Sequence, residues 1–159
     1  MQEQENAGLP EPNAPRPPPE RWLDLQEIAY VEVTSEDAEH PTQFAFLPDS
    51  FSEWRAARKG QQTVRLHFAK PITIQRIWLQ FVDSDHERTQ EFTLNWAPGR
   101  YGPYRLVARQ QGSFKPQSCT EQIGDYRVEL NNVRALELVI RPDLGKGQAF
   151  ATIARWAMA

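Results

Sequence analysis

Cysteine is all but missing from this sequence: Cys119 stands alone among 159 residues. A single thiol cannot close an internal disulfide, which excludes a disulfide-stapled scaffold and suits a reducing compartment. Histidine is scarce as well, with only His40, His67 and His86, far apart in the chain. No apolar run approaches the ~20 residues needed to span a bilayer. The start, Met-Gln-Glu-Gln-Glu, has neither the basic residues nor the apolar stretch of a secretory signal, so a cytoplasmic location is expected. Basic excess is lacking too: 18 basic against 21 acidic residues give a formal charge of -3. That balance argues against a polybasic membrane-surface protein and against nucleic acid as a partner. What is present excludes wholesale disorder, since hydrophobic residues are 40% of the chain and aromatics 11%.

The acid is unevenly placed. Residues 1–20 carry Glu3, Glu5, Glu11 and Glu20 against Arg16, which accounts for the whole net charge and leaves the remaining body neutral. Six of the 13 prolines fall in the same stretch, including Pro17-Pro18-Pro19. Proline fixes φ and removes backbone donors, so this composition predicts a disordered or semi-stiff polyproline extension over 1–20, followed by one domain over 21–159. Within the body arginine outnumbers lysine, so its cations are mostly of the planar, forked kind suited to specific pairing.

From Trp22 onward the dominant period is two. Val64, Leu66 and Phe68 alternate with Arg65 and His67; Ile77, Leu79 and Phe81 with Arg76, Trp78 and Gln80. The same pattern recurs at Phe92, Leu94 and Trp96, at Tyr126, Val128 and Leu130, and at Leu136, Leu138 and Ile140. Such alternation marks antiparallel strands with one buried face. Turn residues punctuate the runs at Lys59-Gly60, Lys70-Pro71, Pro98-Gly99, Gly102-Pro103, Asn131-Asn132 and Gly145-Lys146-Gly147. With further strands at 27–34, 104–110 and 149–157, about eight are expected, and only 49–58 reads as briefly helical. The expected fold class is an all-β sandwich.

No constellation for catalysis is visible. Cys119 lacks nucleophile-elbow glycines, Gly145-Lys146-Gly147 lacks the rest of a phosphate-cradling pattern, and His67 alternates outward on a strand. A non-enzyme is expected. Asp83-Ser84-Asp85-His86-Glu87 offers oxygen and imidazole ligands, but without the glycine and spacing of a calcium-binding EF-hand loop; the plainer reading is a solvated acidic turn that balances Arg88. Trp96-Ala-Pro-Gly-Arg-Tyr-Gly-Pro-Tyr104 combines aromatic faces with the five-donor fork of Arg100, the two elements that sugars require. There Trp96 and Tyr104 can equally continue core faces, the latter with Leu106, leaving Arg100 and Tyr101 free. Glu53-Trp54-Arg55-Ala-Ala-Arg58-Lys59 holds three cations that could meet phosphate, although Trp54 reads as a plug for the end of the sandwich.

Residues 34–82 carry a more specific pattern: Ser35-Glu36, His40-Pro41, Leu47-Pro48-Asp49 leading to Trp54-Arg55-Ala56, Gly60, the strand Val64-Arg65-Leu66-His67-Phe68, and Pro71 before Ile74-Gln75-Arg76-Ile77. This resembles the discoidin family, also called coagulation factor 5/8 type C, within the galactose-binding-like fold, and strand count extends the match over about 24–157. The resemblance implies an eight-stranded antiparallel jelly-roll sandwich with a ligand among loops at one end. Members bind sugars, lipid headgroups or proteins, and fold alone does not choose among them. Many sugar-binding relatives hold a structural calcium through an Asp before the Trp, which would be Asp49, and a Glu on the last strand, where this sequence has no acidic residue. Otherwise no cofactor is expected. The expected function is a noncatalytic carbohydrate-binding module, with Arg100, Tyr101, Tyr104, His40 and Arg88 as ligand-binding candidates. The alternative is a protein-interaction domain, since Trp54-Arg55-Ala-Ala followed by Gly60 is also similar to the amino-terminal domain of a DNA strand-break repair scaffold.

Overall fold

The structure is a computed structural model and describes residues 17–47, 52–145 and 147–159. Eight strands carry it: β1 (Ala29–Val33), β2 (Trp54–Lys59), β3 (Gln62–Val82), β4 (Arg88–Ala97), β5 (Arg105–Phe114), β6 (Glu121–Arg141), β7 (Phe150–Ile153) and β8 (Arg155–Met158). One sheet runs in the order β1-β3-β6-β4-β5 with β8 also on β3, β2 pairs with β7, and every pairing is antiparallel. The all-β sandwich expected from the alternation is what forms.

Its centre is a ribbon of two 21-residue strands, β3 and β6, paired from Gln62↔Ile140 to Val82↔Glu121. The sequence suggests two strands on either side of Lys70-Pro71. The structure instead keeps one strand through that point and absorbs the break as register shifts between His67 and Arg76. Pro71 has no N–H for the ladder, so it is tolerated where the ladder is already interrupted, and Asn132 in the facing strand takes a left-handed φ of 59°. The first half of β3 pairs with β1 and its second half with β8, while the second half of β6 pairs with β4. The ribbon thereby belongs to both layers.

Of the expected core faces, Val64, Leu66, Phe68, Ile77, Leu79, Phe81, Phe92, Leu94, Leu136, Leu138 and Ile140 are all at 2% exposure or less, whereas Trp96, Tyr126, Val128 and Leu130 are half-buried against the core's edge. The Phe81 and Phe92 rings meet across the layers with centroids 5.1 Å apart. Three expectations need correction. Of the expected helix over 49–58, residues 49–51 lie outside the described residues, and Trp54–Lys59 is strand, because pairing with β7 buries Trp54 and Ala56, which a short exposed helix would not do. The face of Arg76, Trp78 and Gln80 is also buried: Asp125 accepts Arg76 at 2.9 and 2.6 Å, Trp22 lies 5.6 Å from the same guanidinium, and Gln80 donates to Glu121. His67 is likewise withdrawn from solvent, bonded to Glu32 at 2.8 Å and stacked on Tyr30.

Of the amino-terminal extension, residues 1–16 lie outside the described residues. Glu20 belongs to the folded surface, 3.6 Å from both Arg76 and Arg127. Gly60, at φ +88°, makes the corner between β2 and β3 in a conformation that favours glycine.

Candidate functional site

Where β3 ends at Val82, the chain turns through 83–87 into β4, and this turn builds itself around Asp83. Its Oδ1 accepts the backbone N–H groups of Asp85 at 2.9 Å and His86 at 3.1 Å, and its Oδ2 accepts Nε of Arg88 at 2.7 Å. Burial alone would raise the Asp83 pKa, but the Arg88 guanidinium and the Asp85 N–H outweigh it and hold the carboxyl below its ordinary value. Arg88 has a side chain only 3% exposed. It also donates to the Pro142 carbonyl at 2.6 Å and to Gln90 at 3.3 Å, and lies 4.5 Å from the Phe114 ring centre. The acidic turn does balance Arg88, and Arg88 in turn fixes the turn's shape.

Facing this turn is the β2–β7 ribbon. Register pairs Trp54 with Ile153 on its core side and Arg55 with Thr152 on the other. Two residues from Thr152 on the same strand face, Phe150 carries the Arg55 guanidinium 4.6 Å above its ring. Between ribbon and turn opens a cavity of about 500 Å³, which Asp143 and Gln148 complete from the β6–β7 connection. Thr152 is buried and lines this cavity, and its Oγ1 has no hydrogen-bond partner among the described residues. A hydroxyl left so is a poised donor and acceptor.

Glu53 lies at the start of the ribbon. Burial pushes its carboxyl up to about 6 from an ordinary 4.5, with Asp83 adding to the rise and His40, Arg55 and Arg88 opposing it. Because the folded state holds this proton more tightly than the unfolded chain, stability falls as pH rises from 4.5 through about 6. Glu53→Gln, which mimics the protonated form, should therefore stabilise the fold by about 1 kcal/mol in mildly alkaline buffer and leave it unchanged in acid below the unfolded value. Urea unfolding at the two pH values checks this, and a loss of stability in the alkaline arm would refute it. His40 is close by: its carbonyl accepts the Arg55 N–H at 3.1 Å, and its Nδ1 is 3.1 Å from Asp37. The Asp37 carboxyl is held low by the Glu39 N–H and by His40.

The ligand-binding candidates taken from sequence thus divide. His40 and Arg88 lie at the cavity end, with Arg88 committed to internal partners. Arg100, Tyr101 and Tyr104 lie past the far end of β4, so that this ten-residue strand, about 30 Å of extended chain, separates them from Arg88. Tyr101 stands 89% exposed, and Tyr104 packs 5.5 Å under the Arg65 guanidinium. Leu106 is 59% exposed, so Tyr104 and Leu106 do not extend a core face. Residues that sequence reasoning left out, Glu53, Phe150, Thr152, Asp143 and Gln148, line the cavity instead. One signal for them was available: alternation along 149–157 sets Phe150 and Thr152 on the face opposite Ile153.

Asp49, the calcium candidate, lies outside the described residues. Among the described residues no three of His, Cys, Asp and Glu are grouped to hold a metal ion, and β7 and β8 contain no carboxylate. No helix of the described residues is long and apolar enough to cross a membrane.

No family model and no curated protein sequence matches this chain. Solved structures do. The family 32 carbohydrate-binding module of C. perfringens NanJ, in complex with galactose, superposes with a TM-score of 0.62 at 15% identity, over 86% of this chain and 96% of that one. A pectin-binding carbohydrate-binding module superposes at 0.61 with 16% identity, over 82% and 89%. The family 32 module of AlyQ, in complex with 4,5-unsaturated mannuronic acid, superposes at 0.62 with 13% identity, over 83% and 95%. At these identities the likeness is one of fold, the galactose-binding-like β-sandwich.

Proposed function

We propose that this chain is a noncatalytic carbohydrate-binding module and that its saccharide site is the cavity between the 83–87 turn and the β2–β7 ribbon. The observation that carries the reading is the chemistry of that cavity: an aromatic ring at Phe150, the planar donor fork of Arg55, the amide of Gln148, carboxylates on several sides and an unpartnered Thr152 hydroxyl. Sugars present hydroxyls that need donors and acceptors on fixed frames, beside C–H faces that pack on rings. Solved structures of the same fold that hold galactose or an unsaturated mannuronic acid support the class of ligand. The exposed Arg100–Tyr101 turn lies outside this site.

Titration of the labelled protein with galactose and a panel of oligosaccharides, followed by backbone amide NMR, tests the reading. Shifts should concentrate on 82–88 and 143–152, and Phe150→Ala should weaken binding at least tenfold, whereas Tyr101→Ala should leave it within twofold. Shifts concentrated on 100–104, or no saccharide bound at millimolar concentration, would reject it.

A further inference from the structure

The charges around the cavity bear on which saccharide it takes. Glu53, Asp83, Asp85, Glu87 and Asp143 bring five carboxylates to it, against the guanidinium groups of Arg55 and Arg88. Availability sharpens the imbalance. Arg88 is committed to Asp83, Gln90 and the Pro142 carbonyl, which leaves Arg55, over Phe150, as the guanidinium open to a ligand. Lys59 reaches only the rim, 3.5 Å from Gln148. By contrast the side-chain carboxylates of Glu53, Asp85 and Glu87 have no hydrogen-bond or ion-pair partner among the described residues, and Asp85 and Glu87 are exposed. The open carboxylates outnumber the Arg55 guanidinium, so the free charge facing the cavity is acidic. Independently of that acid, the buried Oγ1 of Thr152, on the cavity side of β7, lacks a partner among the described residues, which marks the cavity as built for a polar ligand.

We infer that this cavity selects saccharides carrying a protonated amine, hexosamines in their free-amine form, over neutral sugars and uronates. The inference rests on the saccharide reading above. An ammonium group would meet the unpaired carboxylates in charge-assisted hydrogen bonds, which are stronger than neutral ones, while a uronate would meet repulsion from the same groups. Isothermal titration with a glucosamine oligosaccharide, its N-acetylated counterpart, an oligogalacturonate of equal length and spermidine tests it, in buffer that keeps the amine protonated. The free-amine sugar should bind roughly tenfold or more tighter than the N-acetylated one. The uronate should bind weakest of the sugars. Spermidine, a cation without sugar rings, should bind at least tenfold more weakly than the glucosamine oligomer. The double variant Asp85→Asn/Glu87→Gln, at two exposed positions, should lose most of the preference, as should the unmodified protein at high salt. Equal or tighter binding of the N-acetylated or uronate oligomer overturns the inference and leaves the saccharide reading standing. Equal binding of spermidine overturns the inference as one about sugars, and absence of all saccharide binding overturns both.

Discussion

Replacing Trp54 by alanine should lower the unfolding free energy by about 3–5 kcal/mol, the range for deleting a fully buried large aromatic. The indole is at 0% exposure within the core, and its Nε1 donates to the Ser35 carbonyl at 3.1 Å. The segment it reaches is itself tied to β2: Ser35 Oγ accepts the N–H groups of Ala57 at 3.0 Å and Arg58 at 3.3 Å, and donates to Gln62 at 2.7 Å. Removing the indole opens a cavity and strands a carbonyl at the same time. A loss of that size is a large share of the roughly 5–15 kcal/mol that holds a typical domain together. Trp54→Phe should cost less, because it keeps most of the volume and forfeits the hydrogen bond. Urea denaturation of both variants, with the exposed-site Tyr101→Ala as a control expected within about 0.5 kcal/mol of the unaltered protein, is the measurement. A cost below about 1 kcal/mol for Trp54→Ala would show that the indole is not a pillar of this end.

Asp83→Ala is expected to be nearly as damaging, at about 3 kcal/mol, by a different route. The Arg88 side chain is 3% exposed and that of Asp83 10% exposed, so the substitution leaves a buried guanidinium without its counter-charge. Gln90 and the Pro142 carbonyl remain as partners and soften the loss. The backbone of Asp85 and His86 loses its acceptor too, so the turn that walls the cavity should loosen. Changing both partners, Asp83→Ala with Arg88→Met, should recover part of the stability, since the cost lies in the orphaned charge more than in the missing bond. If the double variant is less stable than Asp83→Ala alone, this account of the pair fails. The pH dependence has a definite sign: the folded Asp83 pKa is depressed, so its contribution is present above the unfolded value of 3.8 and fades as pH falls through the folded one.

The period-two alternation found much of the core, though not Trp78, Phe114 or Trp156. Leu66, Leu79, Leu94 and Leu138 each fall on the face that it selects, because a half-buried strand has no other way to arrange its side chains. Residues 54–59 were misleading for a reason internal to propensity: Arg, Ala and Lys are good helix formers, and only the partner strand β7, about a hundred residues on, makes Trp54-Arg-Ala-Ala-Arg-Lys a strand. Arg76 and Gln80 look like solvent-facing residues until the structure supplies Asp125, Trp22 and Glu121 to receive them. The candidate cavity was legible in part. Asp83 and Arg88 share one short turn, so their pairing could be read locally, whereas Glu53, Phe150 and Thr152 meet that turn only through tertiary register. Arg100 and Tyr101 have the composition of a ligand loop, but composition carries no information about which end of the sandwich a loop occupies.

The bent ribbon of β3 and β6 has a mechanical consequence. A sandwich made of two separate sheets can part along the plane between them, and one layer can melt before the other. Here the same two strands run through both layers, so neither can leave without dragging the hydrogen-bond ladder of the other. Adjustment around the cavity is thereby left to the 83–87 turn and to the β2–β7 ribbon, which no ladder joins to that frame.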